Sequence, residues 1–250
     1  MGTPGSKVDE LLHFLKNTQS ETLYLVGDII DGWQLKKRFF WPQKHNDVVQ
    51  KILRKARNST KVIYIPGNHD EAARDYINYS FGEIEIFMDY IHHTPNGEKL
   101  WVVHGDLFDN VIQHARWLAY MGDRAYVILL RANRLLNRLR QLLNLPYWSF
   151  SQYLKHKVKS AVSFISAYEK AMVTEAKRRN CVGVICGHIH KPEIREIDGT
   201  RYYNDGDWVE SMTALVEHYD GSFEILNCAN IAHRNIFPSS SASFSGLKQK

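Results

Sequence analysis

Cysteine is scarce in this chain of 250 residues, which carries 3. Cys181, Cys186 and Cys228 have no CxxC spacing, so neither a disulfide framework nor a cysteine-built zinc site is in prospect. Cys186 sits in an apolar run and reads as a small core residue. Long apolar runs are also missing: none approaches the roughly 20 residues that span a bilayer. The N-terminus has no apolar stretch of the secretory type. No internal repeat and no nucleic-acid-binding motif is visible. These absences favour a cytoplasmic protein in a reducing compartment.

What is present is an ordinary globular composition, 44% hydrophobic and 24% charged, enough for one large domain over residues 1–234. The Ser-rich tail, 235–250, reads as disordered. The net charge of +5 is unevenly spread. Residues 110–180 hold 13 Lys or Arg against 3 Asp or Glu, while the remainder holds 19 against 24. A basic insertion on an acidic body predicts an anionic partner.

Short apolar runs end in polar clusters four times. Thr22–Val26 ends in Gly27-Asp28, and Val62–Ile65 ends in Pro66-Gly67-Asn68-His69-Asp70. Leu100–Val103 ends in His104-Gly105-Asp106, and Val182–Cys186 ends in Gly187-His188-Ile189-His190. Runs of this length read as buried strands. Val8–Lys16, before the first of them, and Asp47–Arg57, between the first two, show helical spacing. In α/β sheets the ligand site lies beyond the carboxyl ends of the strands. Ile194–Ile197, Arg201–Tyr203, Thr213–His218 and Ser222–Leu226 read as later strands broken by Asp-Gly turns, and Pro95-Asn96-Gly97 marks a further hairpin. The expected architecture is a two-layered β core with helices outside. The segment 110–180 reads as helical. From Ile128 onward the apolar Ile128, Leu129, Leu135, Leu136, Leu139, Leu142 and Leu143 cover one arc, with Arg131, Arg134 and Arg138 beside it, a basic amphipathic helix.

The donor types at the four strand ends suit hard divalent cations: carboxylate and amide oxygens and imidazole nitrogens. Phosphoester hydrolysis needs a nucleophile at neutral pH and positive charge on the phosphoryl oxygens, and two divalent ions supply both. Asp28 can bridge two ions, Asn68 offers a neutral oxygen, and His104, His188 and His190 offer nitrogens. Each motif is weak alone; the ordered set, each member at a strand end, is specific.

Gly27-Asp28-Ile29-Ile30-Asp31, Gly67-Asn68-His69-Asp70, His104-Gly105-Asp106 and Gly187-His188-Ile189-His190 together resemble the motifs of calcineurin-like metallophosphoesterases, in the same order. Gly105-Asp106-Leu107-Phe108-Asp109 and the long insertion resemble the branch containing UDP-2,3-diacylglucosamine hydrolase. The resemblance covers about residues 5–230. It implies a four-layered α/β/β/α sandwich with a helical lid. It also implies Asp28, Asn68, His104 and His188 as one metal site and His190 with Asp28 as a second. Manganese is the implied ion, with Mg²⁺, Fe or Zn²⁺ as alternatives. By the same resemblance His69 is the acid or phosphoryl-oxygen partner, positioned by Asp70, and Asp31 belongs to the catalytic set. Arg131, Arg134, Arg138, Lys155 and Lys159 become candidate substrate contacts.

Two departures stand out. The family's initial Asp-x-His motif is absent, which leaves the second metal site incomplete and removes a central strand; a truncated start is the expectation, and a one-metal relic the alternative. The lipid A hydrolases carry Arg where this chain has His69. The leading expectation is hydrolysis of a phosphodiester or pyrophosphate bond in a nucleotide-linked lipid, by a protein peripheral to the inner face of an anionic membrane. A phosphoesterase acting on a soluble or nucleic-acid substrate is the second, and a non-catalytic binding module the third.

Overall fold

The computed structural model describes residues 1–108 and 165–229. The chain begins with helix α1 (Val8–Asn17), then β1 (Thr22–Val26), a short α2 (Gly32–Lys37), α3 (Gln43–Arg57) and β2 (Lys61–Ile65). Next come β3 (Ser80–Phe81), β4 (Ile84–Ile86), β5 (Asp89–His93) and β6 (Lys99–Val103). Helix α4 is described over 165–178. The last elements are β7 (Gly183–Cys186), β8 (Glu193–Ile197), β9 (Thr200–Asn204), β10 (Thr213–Glu217) and β11 (Phe223–Asn227).

Two sheets stack. The first has the order β1-β2-β4-β3 and the second β5-β6-β7-β9-β8. Within them β1, β2 and β4 run parallel, as do β6, β7 and β9. Strand alternation sends successive side chains to opposite faces, and this builds the layers. Val62 faces α1 and α3 together with Val8, Leu12, Val48 and Ile52. Ile63 and Ile65 face inward onto Leu100, Val102, Ile185 and Tyr203. Trp101, Val103, Val184 and Tyr202 face outward onto Tyr168, Met172 and Ala176 of α4. The result is the expected α/β/β/α arrangement.

The helices obey their sequence signals. In α1 the buried Val8, Leu12 and Leu15 lie on one stripe, with Asp9 and Glu10 in the first turn and Lys16 in the last, which complements the helix dipole. In α3 the buried His45, Val48, Ile52 and Ala56 repeat at three and four residues. Its start at Gln43, four residues before the Asp47 predicted from apolar spacing, follows from Pro42 preceding the first turn and His45 joining the buried stripe.

Strand β1 forms one edge of its sheet, and all five of its residues are half-buried. The hairpin β10–β11 is a separate two-stranded sheet. Its Ala214 and Leu226 nevertheless pack with the helix-side cluster that takes Leu23 and Leu25. Its Leu215 and Phe223 join the inner cluster that takes Tyr24 and Val26. The hairpin therefore occupies the layer of β1 without hydrogen-bonding to it. His92 links the layers, accepting or donating at 2.9 Å to the Tyr24 hydroxyl and at 2.7 Å to Glu217.

The predicted lid helix, with Arg131, Arg134, Arg138, Lys155 and Lys159, lies outside the described residues, as does the predicted tail 235–250.

Candidate metal centre

The carboxyl ends of β1, β2, β6 and β7 converge, and the loops that follow them carry the four predicted motifs. Asp28, His104 and His188 place one donor atom each within 4.8 Å of one another. The His104 Nε2 lies 3.2 Å from the His188 Nδ1, 3.3 Å from the Asn68 Oδ1 and 3.5 Å from the Asp28 Oδ1. Donors held about 2.1 Å from a shared ion sit about 3.0–3.4 Å apart, so the spacing around the His104 Nε2 is close to that of neighbouring ligands on one cation. Two imidazole nitrogens and two oxygens suit a borderline or hard divalent metal.

The surroundings prepare those donors. His104 is 2% exposed. Burial lowers its pKa, partly offset by the Asp28 carboxylate, so the neutral imidazole that ligation requires is favoured. Its Nδ1 lies 3.3 Å from the Val26 carbonyl. A proton donated there fixes the tautomer and leaves the Nε2 lone pair facing the site. His188 is 3% exposed, and its loop is held by Asn204, whose Nδ2 donates to the Gly187 carbonyl at 2.7 Å.

The backbone is bent to make this possible. Asp28 has φ 53°, His188 φ 66° and His190 φ 55°. Left-handed φ is costly for residues with a Cβ and clusters at functional sites. A Cβ on Gly27, itself at φ 71°, would overlap the His104 imidazole, and one on Gly67 would overlap the Asp28 carboxylate. Only glycine lets the chain pass this close to the donors.

Asp70 does not position the His69 ring as the sequence reading expects. Its carboxylate accepts from the backbone N–H of Gly67 at 2.6 Å, Ile29 at 2.7 Å, Asp28 at 3.2 Å and Ile30 at 3.3 Å, and from the Tyr64 hydroxyl at 2.6 Å. It is a staple between the loops after β1 and β2. Asp31 takes the place assigned to Asp70: its Oδ1 lies 2.9 Å from the His69 Nδ1. Asp31 also caps α2 through the Gln34 N–H and accepts from the Thr3 hydroxyl. Burial opposes its charge, but these hydrogen bonds outweigh burial and hold its pKa below the usual carboxylate value. With Nδ1 engaged, the His69 Nε2 faces the Asp28 Oδ2 at 4.0 Å. Trp33 stacks on the ring with centroids 4.5 Å apart.

His190 stands apart from the tight cluster. Its Nδ1 lies 3.3 Å from the Asp207 Oδ2, and its side chain is 45% exposed. Burial opposes the Asp207 charge, and the His190 hydrogen bond with two backbone N–H groups overcomes it, lowering that pKa. Among the described residues no second group of three closely spaced donors occurs.

Sequence reasoning missed Trp33, Asn204, Asp207 and Arg74. The Arg74 Nη2 donates to Asp106 at 2.7 Å and to the Pro66 carbonyl at 3.2 Å, tying the β2 loop to the β6 loop. None of the four carries a motif; each acts through a neighbour distant in sequence.

The model of the calcineurin-like phosphoesterase family matches residues 6–192. The chain belongs to the calcineurin-like phosphoesterase family. Calcineurin-like phosphoesterases hydrolyse phosphoesters with divalent metals, and Asp28, His104 and His188 form a cluster able to hold one. This phosphoesterase has no match among curated protein sequences. Solved structures resemble it at low identity. A Vps29 single mutant from Entamoeba histolytica is 13% identical over 88% of this chain and 89% of its own, with a TM-score of 0.41. A Thermotoga maritima protein is 15% identical over 88% and 87%, with a TM-score of 0.38. A novel archaeal phosphodiesterase is 11% identical over 88% and 90%, also at 0.38. Likenesses this distant carry no argument about substrate.

Proposed function

We propose that this phosphoesterase cleaves a phosphodiester or pyrophosphate bond in a nucleotide-linked lipid of the UDP-2,3-diacylglucosamine kind, at an anionic membrane surface. The observation that carries the reading is where the basic insertion joins the body. The chain leaves the described body at Phe108, four residues after His104, and returns at residue 165. The Phe108 and Tyr168 rings are 6.5 Å apart, and the Tyr168 ring is 6.4 Å from that of His188. Both ends of the insertion thus lie beside the metal centre. The 56 residues between them hold nine Lys or Arg and two Asp or Glu. Positive charge delivered there favours a diphosphate-bearing substrate.

Asp28, Asn68, His104 and His188 would hold a divalent ion, with manganese as the proposed metal. Such an ion supplies Lewis acidity toward phosphoryl oxygens and a nucleophile at neutral pH. His69, oriented by Asp31 and packed on Trp33, donates from Nε2 to a phosphoryl oxygen or to the leaving group. Asp28 holds the His69 loop, accepting its backbone N–H at 2.9 Å.

The test compares UDP-2,3-diacylglucosamine with bis(4-nitrophenyl) phosphate, each with Mn²⁺, Mg²⁺ or EDTA. Release of UMP from the lipid, abolished by EDTA and by His104→Ala, is expected. Metal-dependent cleavage of the soluble diester with none of the lipid would overturn the lipid reading and leave phosphoester hydrolysis standing.

A further inference from the structure

Helix α2 and the turn after it carry the sequence Trp33-Gln-Leu-Lys-Lys-Arg-Phe-Phe-Trp41. Lys36, Lys37, Arg38 and Phe39 are all exposed, Phe39 at 77% and Trp33 at 39%. From Gly32 to Asn46 there is no Asp or Glu. Lys36, Lys37 and Arg38 make no ion pair with a carboxylate among the described residues. Lys36 and Lys37 lie in the last turn of α2, where cations suit the helix dipole; with Arg38 and the protruding Phe39 ring they form one cationic and aromatic patch.

We propose that this patch docks the protein on an anionic lipid bilayer, with Phe39 seated at the headgroup boundary and Lys36, Lys37 and Arg38 on the lipid phosphates. Charge complementarity selects the occupant, and aromatic rings beside Lys and Arg are the composition that membrane interfaces favour. A single-stranded nucleic acid fits less well. It needs cations spread along a groove with ring faces to receive successive bases, whereas these three cations share one helix end.

The patch is built rigidly. Trp41 donates its Nε1–H to the Asn46 Oδ1 at 2.8 Å. The Phe40 and Trp41 rings meet the buried His45 edge-on, with centroids 5.8 and 5.1 Å away. His45 in turn accepts the Gly2 backbone N–H at 3.3 Å. The patch is also coupled to the chemistry. Asp31 caps the start of α2 and holds His69, and the cations occupy the other end of the same helix. A six-residue helix is about 9 Å long, so docking would put the metal centre within reach of a headgroup. The inference rests on the membrane surface of the proposed function and names the part of the body that meets it, but not on the proposed substrate, since it would hold for a soluble one too.

Flotation with phosphatidylcholine vesicles, with and without 30% phosphatidylglycerol, tests it. The wild type is expected to float only with the anionic vesicles. Lys36→Gln/Lys37→Gln/Arg38→Gln should bind roughly a hundredfold more weakly at low salt, with hydrolysis of bis(4-nitrophenyl) phosphate unchanged. The chain's three cysteines are all buried. Phe39→Cys therefore offers one exposed thiol for an environment-sensitive dye, whose emission should shift to the blue on the anionic vesicles. Equal flotation of the triple variant would overturn the proposal. So would a dye that stays in water while the protein floats, which would place docking on the basic insertion. A dye response to a single-stranded oligonucleotide and not to vesicles would overturn it in favour of nucleic acid. None of these readouts depends on which phosphoester is cleaved.

Discussion

Asp70→Asn separates the two roles open to Asp70, partner of the His69 ring or staple of the backbone. Its carboxylate is 7% exposed and accepts five hydrogen bonds, four from backbone N–H groups of the loops after β1 and β2. Asparagine is nearly isosteric, but one oxygen becomes an NH₂ that cannot accept. If the NH₂ replaces Oδ1, it meets the Gly67 and Asp28 N–H groups; if Oδ2, it meets those of Ile29 and Ile30. At least two bonds to a charged acceptor are lost either way. Each is worth about 1.5–3 kcal/mol, which gives a loss of about 3–6 kcal/mol. For a domain of this size that is roughly 10–20 °C in Tm. Melting followed by circular dichroism in EDTA reads this without any metal contribution. Asp31→Asn is the control: its carboxylate binds the His69 ring but only one backbone N–H, so its Tm should fall far less. A drop below about 3 °C for Asp70→Asn, or a larger one for Asp31→Asn, would refute the staple and return Asp70 to His69.

Further perturbations test the same geometry. His69→Ala should lower turnover by about 10²–10⁴-fold while bound metal, measured by elemental analysis, stays constant; Asp31→Asn should cost about 10–100-fold in kcat, as loss of an orienting partner does. Gly67→Ala should abolish metal binding in isothermal titration, because its Cβ would displace the Asp28 carboxylate; wild-type affinity would show that the loop relaxes freely. In metal-free protein, stability should fall as pH drops below about 6.5. Burial lowers the folded pKa of His45, with a contribution from the N-terminal ammonium, and of His104. The unfolded chain therefore binds protons first, and each group costs up to about 1.4 kcal/mol per pH unit. His45→Gln should flatten that slope by about one proton, read from urea midpoints between pH 7.5 and 5.

The sequence by itself determined the strands that carry the site and the donors at their ends. Thr22–Val26 was bounded correctly, because β-branched and apolar runs closed by Gly, Pro and Asn are local signals that survive folding. Asp28, Asn68, His104 and His188 were readable for the same reason: each follows such a run directly. The short β3 and β4 were not readable, since Ser80–Phe81 and Ile84–Ile86 are too brief for periodicity to register. Tertiary structure alone decided which donor meets which. Asp31 and Asp70 are equally good acceptors in the sequence, and both lie near His69. The left-handed turn at Asp28 swings the β1 loop so that its backbone N–H groups face Asp70, while α2, capped by Asp31, brings that carboxylate to the His69 ring. A hydrogen bond needs distance and direction together, and neither is written in the spacing of residues 38 apart.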